Sequence, residues 1–248
     1  VNFGTDTSPE GRMVIKNFLL ATEEGLGKGE TPIFPISIFK IKEGINYNPE
    51  DKNYDLFKLA CEVSAKRLFP NFSFIDAPFN LELYNPEDYN TEVAYMGCRT
   101  RVLGNHVDPN KAVTAGRGNL SFTSINLPRI GIKYGIVNRE KADMEGFYKE
   151  LEEKLELVKD QLLERFDIQC NKRVYNAPFL LGQGVWLDSE KLKPGDKLRK
   201  VLKHGTLSIG FIGLAECLKA LTGKHHGESE ESQKLGLEIV GFMRKKMD

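Results

Sequence analysis

Apolar residues recur at helical spacing in several stretches, and most carry their own start and stop signals. After Ser8 and Pro9, a cap residue and a proline suited to the first turn, Met13, Ile15, Phe18 and Leu19 predict a helix ending near Gly25. Leu56, Leu59, Ala60, Val63 and Leu68 predict another over 54–68, stopped by Pro70. The clearest runs over 141–166, with Phe147, Leu151, Leu155, Val158, Leu162 and Phe166 on one face and Glu and Lys crowding the other. Two more close the chain: 214–221, ending at Gly223, and 229–247 with Leu235, Ile239 and Phe242 inward.

Strand patterns lie between these helices. Residues 33–41 (IFPISIFKI) are β-branched and aromatic, with Pro35 required near the start or on an edge. Phe72, Phe74 and Ile75 form a short strand, and Leu120, Phe122 and Ile125 a buried one ending at Pro128. Residues 130–137 are a short apolar segment relieved by Gly131 and Gly135, and 175–186 mix loop and strand. Thr206, Leu207, Ser208, Ile209 and Gly210 look like a strand end breaking into a loop. Strands alternating with helices argue for an α/β architecture. Met96, Gly97 and Cys98 have no helical period and lie among polar residues, which fits a loop tip presenting one thiol.

Composition narrows the function classes. The 248 residues are 40% hydrophobic and carry 35 basic and 35 acidic side chains, as in an ordinary soluble protein. No basic excess draws the chain to DNA, and the basic cluster over 197–203 reads as a solvated face. No apolar run approaches the roughly 20 residues of a membrane span, and 1–9 lack a signal-peptide pattern, so a cytoplasmic location is the default expectation. The four cysteines, Cys61, Cys98, Cys170 and Cys217, form no CxxC pair. Cys61 and Cys217 fall in apolar helical patterns and read as small hydrophobes, leaving Cys98 as the thiol in a usable context. Gly25, Gly27 and Gly29 around Lys28 lack the Walker spacing and read as a turn. No metal site is expected: His225 and His226 have no further ligand at a suitable spacing, and adjacent histidines usually point apart.

Four runs carry a family resemblance: Met96-Gly97-Cys98-Arg99, Gly116-Arg117-Gly118-Asn119, Asn126-Leu127-Pro128-Arg129 and the stretch GTLSIGFIGLAE over 205–216. Together they resemble the active-site region of anaerobic (class III) ribonucleoside-triphosphate reductases, which are glycyl-radical enzymes. The resemblance implies part of a ten-stranded α/β barrel with a central finger loop, here about 90–118; the amphipathic pattern of 141–166 suits packing outside a barrel, with a coiled-coil partner as the alternative. The resemblance also implies reduction of ribonucleoside triphosphates to deoxyribonucleotides by glycyl and thiyl radical chemistry. Replacing a ribose hydroxyl by hydrogen is beyond ordinary acid–base side chains, and the family solves it with radicals.

The resemblance makes Cys98 the thiyl residue. Its S–H bond is close in strength to the ribose C3′–H bond, so hydrogen-atom transfer runs both ways. Gly97 allows the tight turn this needs. Met96 matches the methionine beside the cysteine and either packs near the substrate or fills a gap. Asn119 matches an active-site asparagine whose amide can hold ribose hydroxyls, although a turn asparagine bonding its own backbone has the same appearance. Thr206, Ser208, Ile209 and Gly210 are expected to bind substrate phosphates, chiefly through backbone N–H groups before a helix; an ordinary capped helix is the alternative.

Other expectations concern the rest of the enzyme. The ATP-cone domain, the glycyl-radical loop and the four-cysteine zinc site of the family have no counterpart in these 248 residues. A second active-site cysteine would precede Val1, so Cys61 is not its match. The chain reads as an internal fragment, inactive alone, of a homodimeric enzyme that uses ATP and deoxynucleotide effectors and a radical-SAM activating enzyme. Thr100 stands where the aerobic reductases and some anaerobic relatives carry glutamate, a departure that points to formate as reductant. The competing readings are another glycyl-radical enzyme of the pyruvate formate-lyase kind and a non-catalytic nucleotide-binding or assembly module.

Overall fold

The computed structural model describes residues 1–248 apart from Cys98, Asn138 and Asp248. The described chain divides into two compact units, Val1–Gly118 and Asn119–Asp248. In the first, β1 (Asn2–Phe3), α1 (Pro9–Glu24), β2 (Ile38–Ile41), α2 (Tyr54–Arg67) and β3 (Asn71–Phe74) alternate along the chain. The three strands pair in parallel in the order β1-β2-β3. Local signals set the helix ends: Ser8 Oγ accepts from the Gly11 N–H at 3.0 Å, and the chain leaves α1 through Gly25 at φ 86°. Ile15 and Leu19 of α1 and Leu56, Ala60 and Val63 of α2 bury against Phe39 and Ile41. Apart from Ala60, each such side chain contributes roughly 1.5–3 kcal/mol of burial. Beyond β3 come a single helical turn, α3 (Pro78–Leu81), and an antiparallel hairpin of β4 (Ala94–Met96) and β5 (Thr100–Val102).

The second unit contains β6 (Asn119–Asn126), α4 (Leu127–Tyr134), α5 (Met144–Asn171), α6 (Pro178–Gly182), α7 (Arg199–Leu202), β7 (Thr206–Ile212), α8 (Leu214–Thr222) and α9 (Glu230–Met247). Strands β6 and β7 pair in parallel, with Phe122 opposite Ser208, Ser124 opposite Gly210 and Ile125 opposite Phe211. One core joins Ile125 and Leu127 to Phe147, Leu151 and Leu155 of α5, Leu218 of α8 and Ile239 of α9. A satellite cluster gathers Trp186, Leu198 and Val201 around Cys170, and Trp186 Nε1 donates to the Val201 carbonyl at 2.9 Å. Helices and parallel strands thus mix as the α/β expectation requires.

Several elements differ from the sequence pattern. Strand β2 starts at Ile38 rather than 33, because Pro35 has no N–H to give a ladder. The 120–125 strand is largely uncovered: Ile125 is 5% exposed, but Phe122 is 68% exposed. Residues 127–134 are helical, opened by Asn126, whose side chain accepts from the Arg129 N–H at 3.2 Å. Gly131 is a close-packing position there, since a Cβ would lie 2.9 Å from Cys217 Sγ. Residues 175–186 hold a short helix and turns and no strand. The 206–210 strand does not break at Gly210 but runs to Ile212, with Gly213 at φ 70° making the turn into α8. Cys61 is exposed, unlike the buried Cys170 and Cys217.

Candidate active site

The hairpin is built from sequence that alternates poorly, so its register rests on anchors at its base. Met96 and Thr100 form its last pair, directly opposite each other. Cys98, the expected thiyl residue, lies outside the described residues. The residues flanking it are Gly97 at φ 51° and Arg99 at φ 77°, both in the left-handed region that a tight reversal uses. Arg99 holds its unusual backbone with side-chain contacts, bonding Asn71 through Nε and standing 5.8 Å over the Phe69 ring. Met96 belongs to none of the apolar clusters and lines a cleft of about 230 Å³ with Phe34, Pro35, Ile38 and Arg99.

The loop from Gly104 to Gly118 is braced by Arg117, which donates to the carbonyls of Gly104 and Val113. Burial pulls the Arg117 pKa below its ordinary value. In the Gly116-Arg117-Gly118-Asn119 run, the arginine therefore serves the loop itself.

In the second unit, the strand pair has two unlike faces. Leu207, Ile209 and Phe211 point toward α5 and α9, where they line an apolar cleft of about 430 Å³ with Leu162 and Met243. On the same side, Arg165 Nη1 donates to Ser121 Oγ at 3.1 Å, and Gln161 meets Thr123 at 3.0 Å. Pleating sends the alternate residues to the opposite face, which is helix-free among the described residues. There a Cβ on Gly210 would lie 3.0 Å from Ser124 Oγ, and Phe122 and Ile212 are exposed.

Asn119 and Thr206 face each other at the start of the pair, both exposed. Ser208 and Gly210 lie on the helix-free face, whereas the Ile209 side chain packs toward the helices. The start of α8 comes later than Gly210, after Gly213, and Glu216 stands in its first turn. The structure thus groups Asn119, Thr206, Ser208 and Gly210 on one strand pair.

Sequence reasoning missed the polar stripe Gln161, Arg165 and Gln169, which ties α5 to β6. Gln169 Nε2 donates to the Leu120 carbonyl at 3.1 Å. Its signal was the i, i+4, i+8 spacing of long uncharged or basic side chains within a Glu/Lys-rich face. It also missed Asn2, Ser73 and Glu92, which no local pattern marks.

His225 and His226 do not point apart: their ring centroids are 5.6 Å apart. His225 Nδ1 accepts the Gly227 N–H at 2.9 Å, so His225 helps to shape a turn. Among the described residues no cluster of three potential metal ligands occurs, and no helix is long and apolar enough to cross a membrane.

These elements define a mixed α/β protein in which a Met-Gly-Cys-Arg run joins two hairpin strands and a parallel pair presents a helix-free face. The profile described as anaerobic ribonucleoside-triphosphate reductase matches residues 1–248, and the chain belongs to that family. It is 33% identical to the anaerobic ribonucleoside-triphosphate reductase of Haemophilus influenzae over 96% of its own length and 32% of the relative's. The enzyme of the same name from Escherichia coli K12 is 32% identical, covering 99% of this chain and 33% of the relative. That from Enterobacteria phage T4 is 32% identical, covering 92% and 36% respectively. The chain therefore spans between 32% and 36% of the length of these curated relatives.

Proposed function

We propose that these residues are the finger-loop segment of the catalytic barrel of an anaerobic ribonucleoside-triphosphate reductase. The supporting observation is the family match over residues 1–248 together with the hairpin that flanks Cys98. The helix-free face of β6 and β7 suits the interior of a ten-stranded α/β barrel, where helices cover the outside alone. Cys98 as a thiyl radical takes the ribose 3′ hydrogen: an S–H bond forms as the C3′–H bond breaks, and the hydrogen returns later. The family's glycyl radical supplies the unpaired electron. Asn119 holds ribose hydroxyls through its amide. Met96 packs beside the substrate or the radical path, consistent with its cleft position. Thr206 and Ser208 offer hydroxyls to the phosphates, and Ile209 and Gly210 offer backbone N–H groups.

The wider reading follows the family. The substrate is a ribonucleoside triphosphate; the radical is installed by a radical-SAM enzyme; the enzyme is a homodimer with ATP and deoxynucleotide effectors and zinc near its carboxy-terminal region. Formate is the reductant, because Thr100 leaves no carboxylate where the aerobic reductases and some anaerobic relatives carry glutamate, and is oxidised to carbon dioxide as the 2′-hydroxyl leaves as water. The 248-residue segment alone is inactive. In the activated full-length enzyme, Cys98→Ala is expected to keep the glycyl radical, seen by electron paramagnetic resonance, and to abolish turnover. Retained turnover overturns the assignment, and turnover without labelled carbon dioxide from labelled formate overturns the reductant.

A further inference from the structure

The hairpin that flanks Cys98 is docked through Tyr95. The side-chain amide of Asn2 pairs with both backbone groups of Tyr95: Asn2 Nδ2 donates to the Tyr95 carbonyl at 2.7 Å, and the Tyr95 N–H donates to Asn2 Oδ1 at 2.9 Å. An amide offers one donor and one acceptor side by side, so Asn2 does the work of a neighbouring strand's peptide group. Tyr95 makes a third attachment with its ring, the Ser73 hydroxyl donating to the Tyr95 hydroxyl at 2.7 Å. Ser73 is buried on β3, and Asn2 lies on β1. One residue thus fixes the hairpin to both outer strands of the three-stranded sheet.

A second tether lies just before it. Glu92 bridges Lys40 and Lys42 of β2 and the following turn, at 2.8 and 3.1 Å, with only 14% of its side chain exposed. Thr114 Oγ1 donates to the Glu92 carbonyl at 2.9 Å. The chain entering the hairpin is therefore held on either side of Val93, itself fully buried.

We propose that Tyr95, gripped by Asn2 and Ser73, is a positioning residue for the hydrogen-atom transfer assigned to Cys98, three positions further along the chain. The inference rests on the proposed function. Hydrogen-atom transfer is steeply sensitive to separation, and a displacement of about 1 Å can cost on the order of a hundredfold in rate. Three directional bonds at Tyr95 restrict such a displacement without touching the substrate.

The test uses the full-length, radical-bearing enzyme with Asn2→Ala, Asn2→Asp, Tyr95→Phe and Cys98→Ala. Asn2→Ala and Tyr95→Phe are each expected to lower kcat by about tenfold or more, with KM for the nucleotide and glycyl-radical content unchanged. Asn2→Asp still accepts from the Tyr95 N–H but donates to its carbonyl only when protonated, so its kcat should recover relative to wild type as pH falls. If Cys98→Ala is dead while Asn2→Ala and Tyr95→Phe stay within about twofold of wild type, positioning through Tyr95 is wrong. A parallel loss of radical content and nucleotide affinity marks a general structural role and also overturns it. If Cys98→Ala still turns over, the functional reading itself fails.

Discussion

Glu92 illustrates how a single residue combines opposed effects. Burial disfavours its charge, yet hydrogen bonds and the charges of Lys40 and Lys42 outweigh that penalty and hold its carboxyl below the usual glutamate range. A carboxylate whose folded pKa is depressed adds stability above its unfolded value, and that stability disappears as pH falls through the lower folded value. Glu92→Gln should therefore destabilise the protein by about 1–3 kcal/mol near neutral pH, less than a fully buried pair would lose. Urea midpoints of the two proteins should converge as the solution is acidified below the glutamate range. A difference that stays constant across pH would count against the ion-pair account. Burial acts without opposition of that strength on Cys217, whose thiol is pushed up to about 12 and is inert as a thiolate at neutral pH. The sequence pattern around Cys217 indicated this, but the same pattern around Cys61 misled. A helix face cannot be read from neighbours alone when the helix is covered on one side by α1.

At the scale of elements, what could be read from the chain was what local chemistry determines. Ser8 and Pro9, Gly25, Gly223 and the apolar face of α5 each specify a helix or its limit, and the structure has them within a few residues. What could not be read depended on distant partners. Gly210 looked like a break because glycine weakens isolated strands, whereas here it lets β7 lie close to Ser124 of β6. Asn2 and Ser73 carry no motif, and their importance appears only when Tyr95 comes alongside.

Two glycines show where a bare backbone is required and where it is not. A Cβ on Gly213 would sit 2.2 Å from Pro128 Cγ, at a φ of 70° that side chains seldom adopt. Gly213→Ala should cost about 2–4 kcal/mol and lower the thermal midpoint, since strain and overpacking add. Gly241, within α9, has nothing within 4 Å of a Cβ. Gly241→Ala should stabilise by about 0.5–1 kcal/mol. Equal effects of the two would contradict this distinction.

For the molecule as a whole, each hydrophobic cluster stays within one of the two units. The second unit should therefore fold alone: residues 119–248 are expected to unfold cooperatively in urea. Its helix-free face nevertheless exposes Phe122 and Ile212 beside strand edges that are unpaired among the described residues. Sedimentation of that unit should show concentration-dependent association, reduced by Phe122→Ser. A monomer at all concentrations would mean that the exposed face is not sticky enough to matter. Under the proposed function the same face is the substrate side of a barrel; the chain spans about a third of the length of the curated relatives it matches.

The parallel pairing of β6 with β7 also orders events during synthesis. The end of β6 and the start of β7 are about 80 residues apart in the chain, whereas β2 meets both of its partners across far shorter intervals. At roughly 5–20 residues per second, a ribosome needs on the order of ten seconds to deliver β7 after β6. Closing so long a loop is also entropically slow. The three-stranded sheet that anchors Tyr95 can therefore be assembled before the strand pair bearing Asn119 exists, so the nascent chain meets a period in which β6 is made and its partner is not.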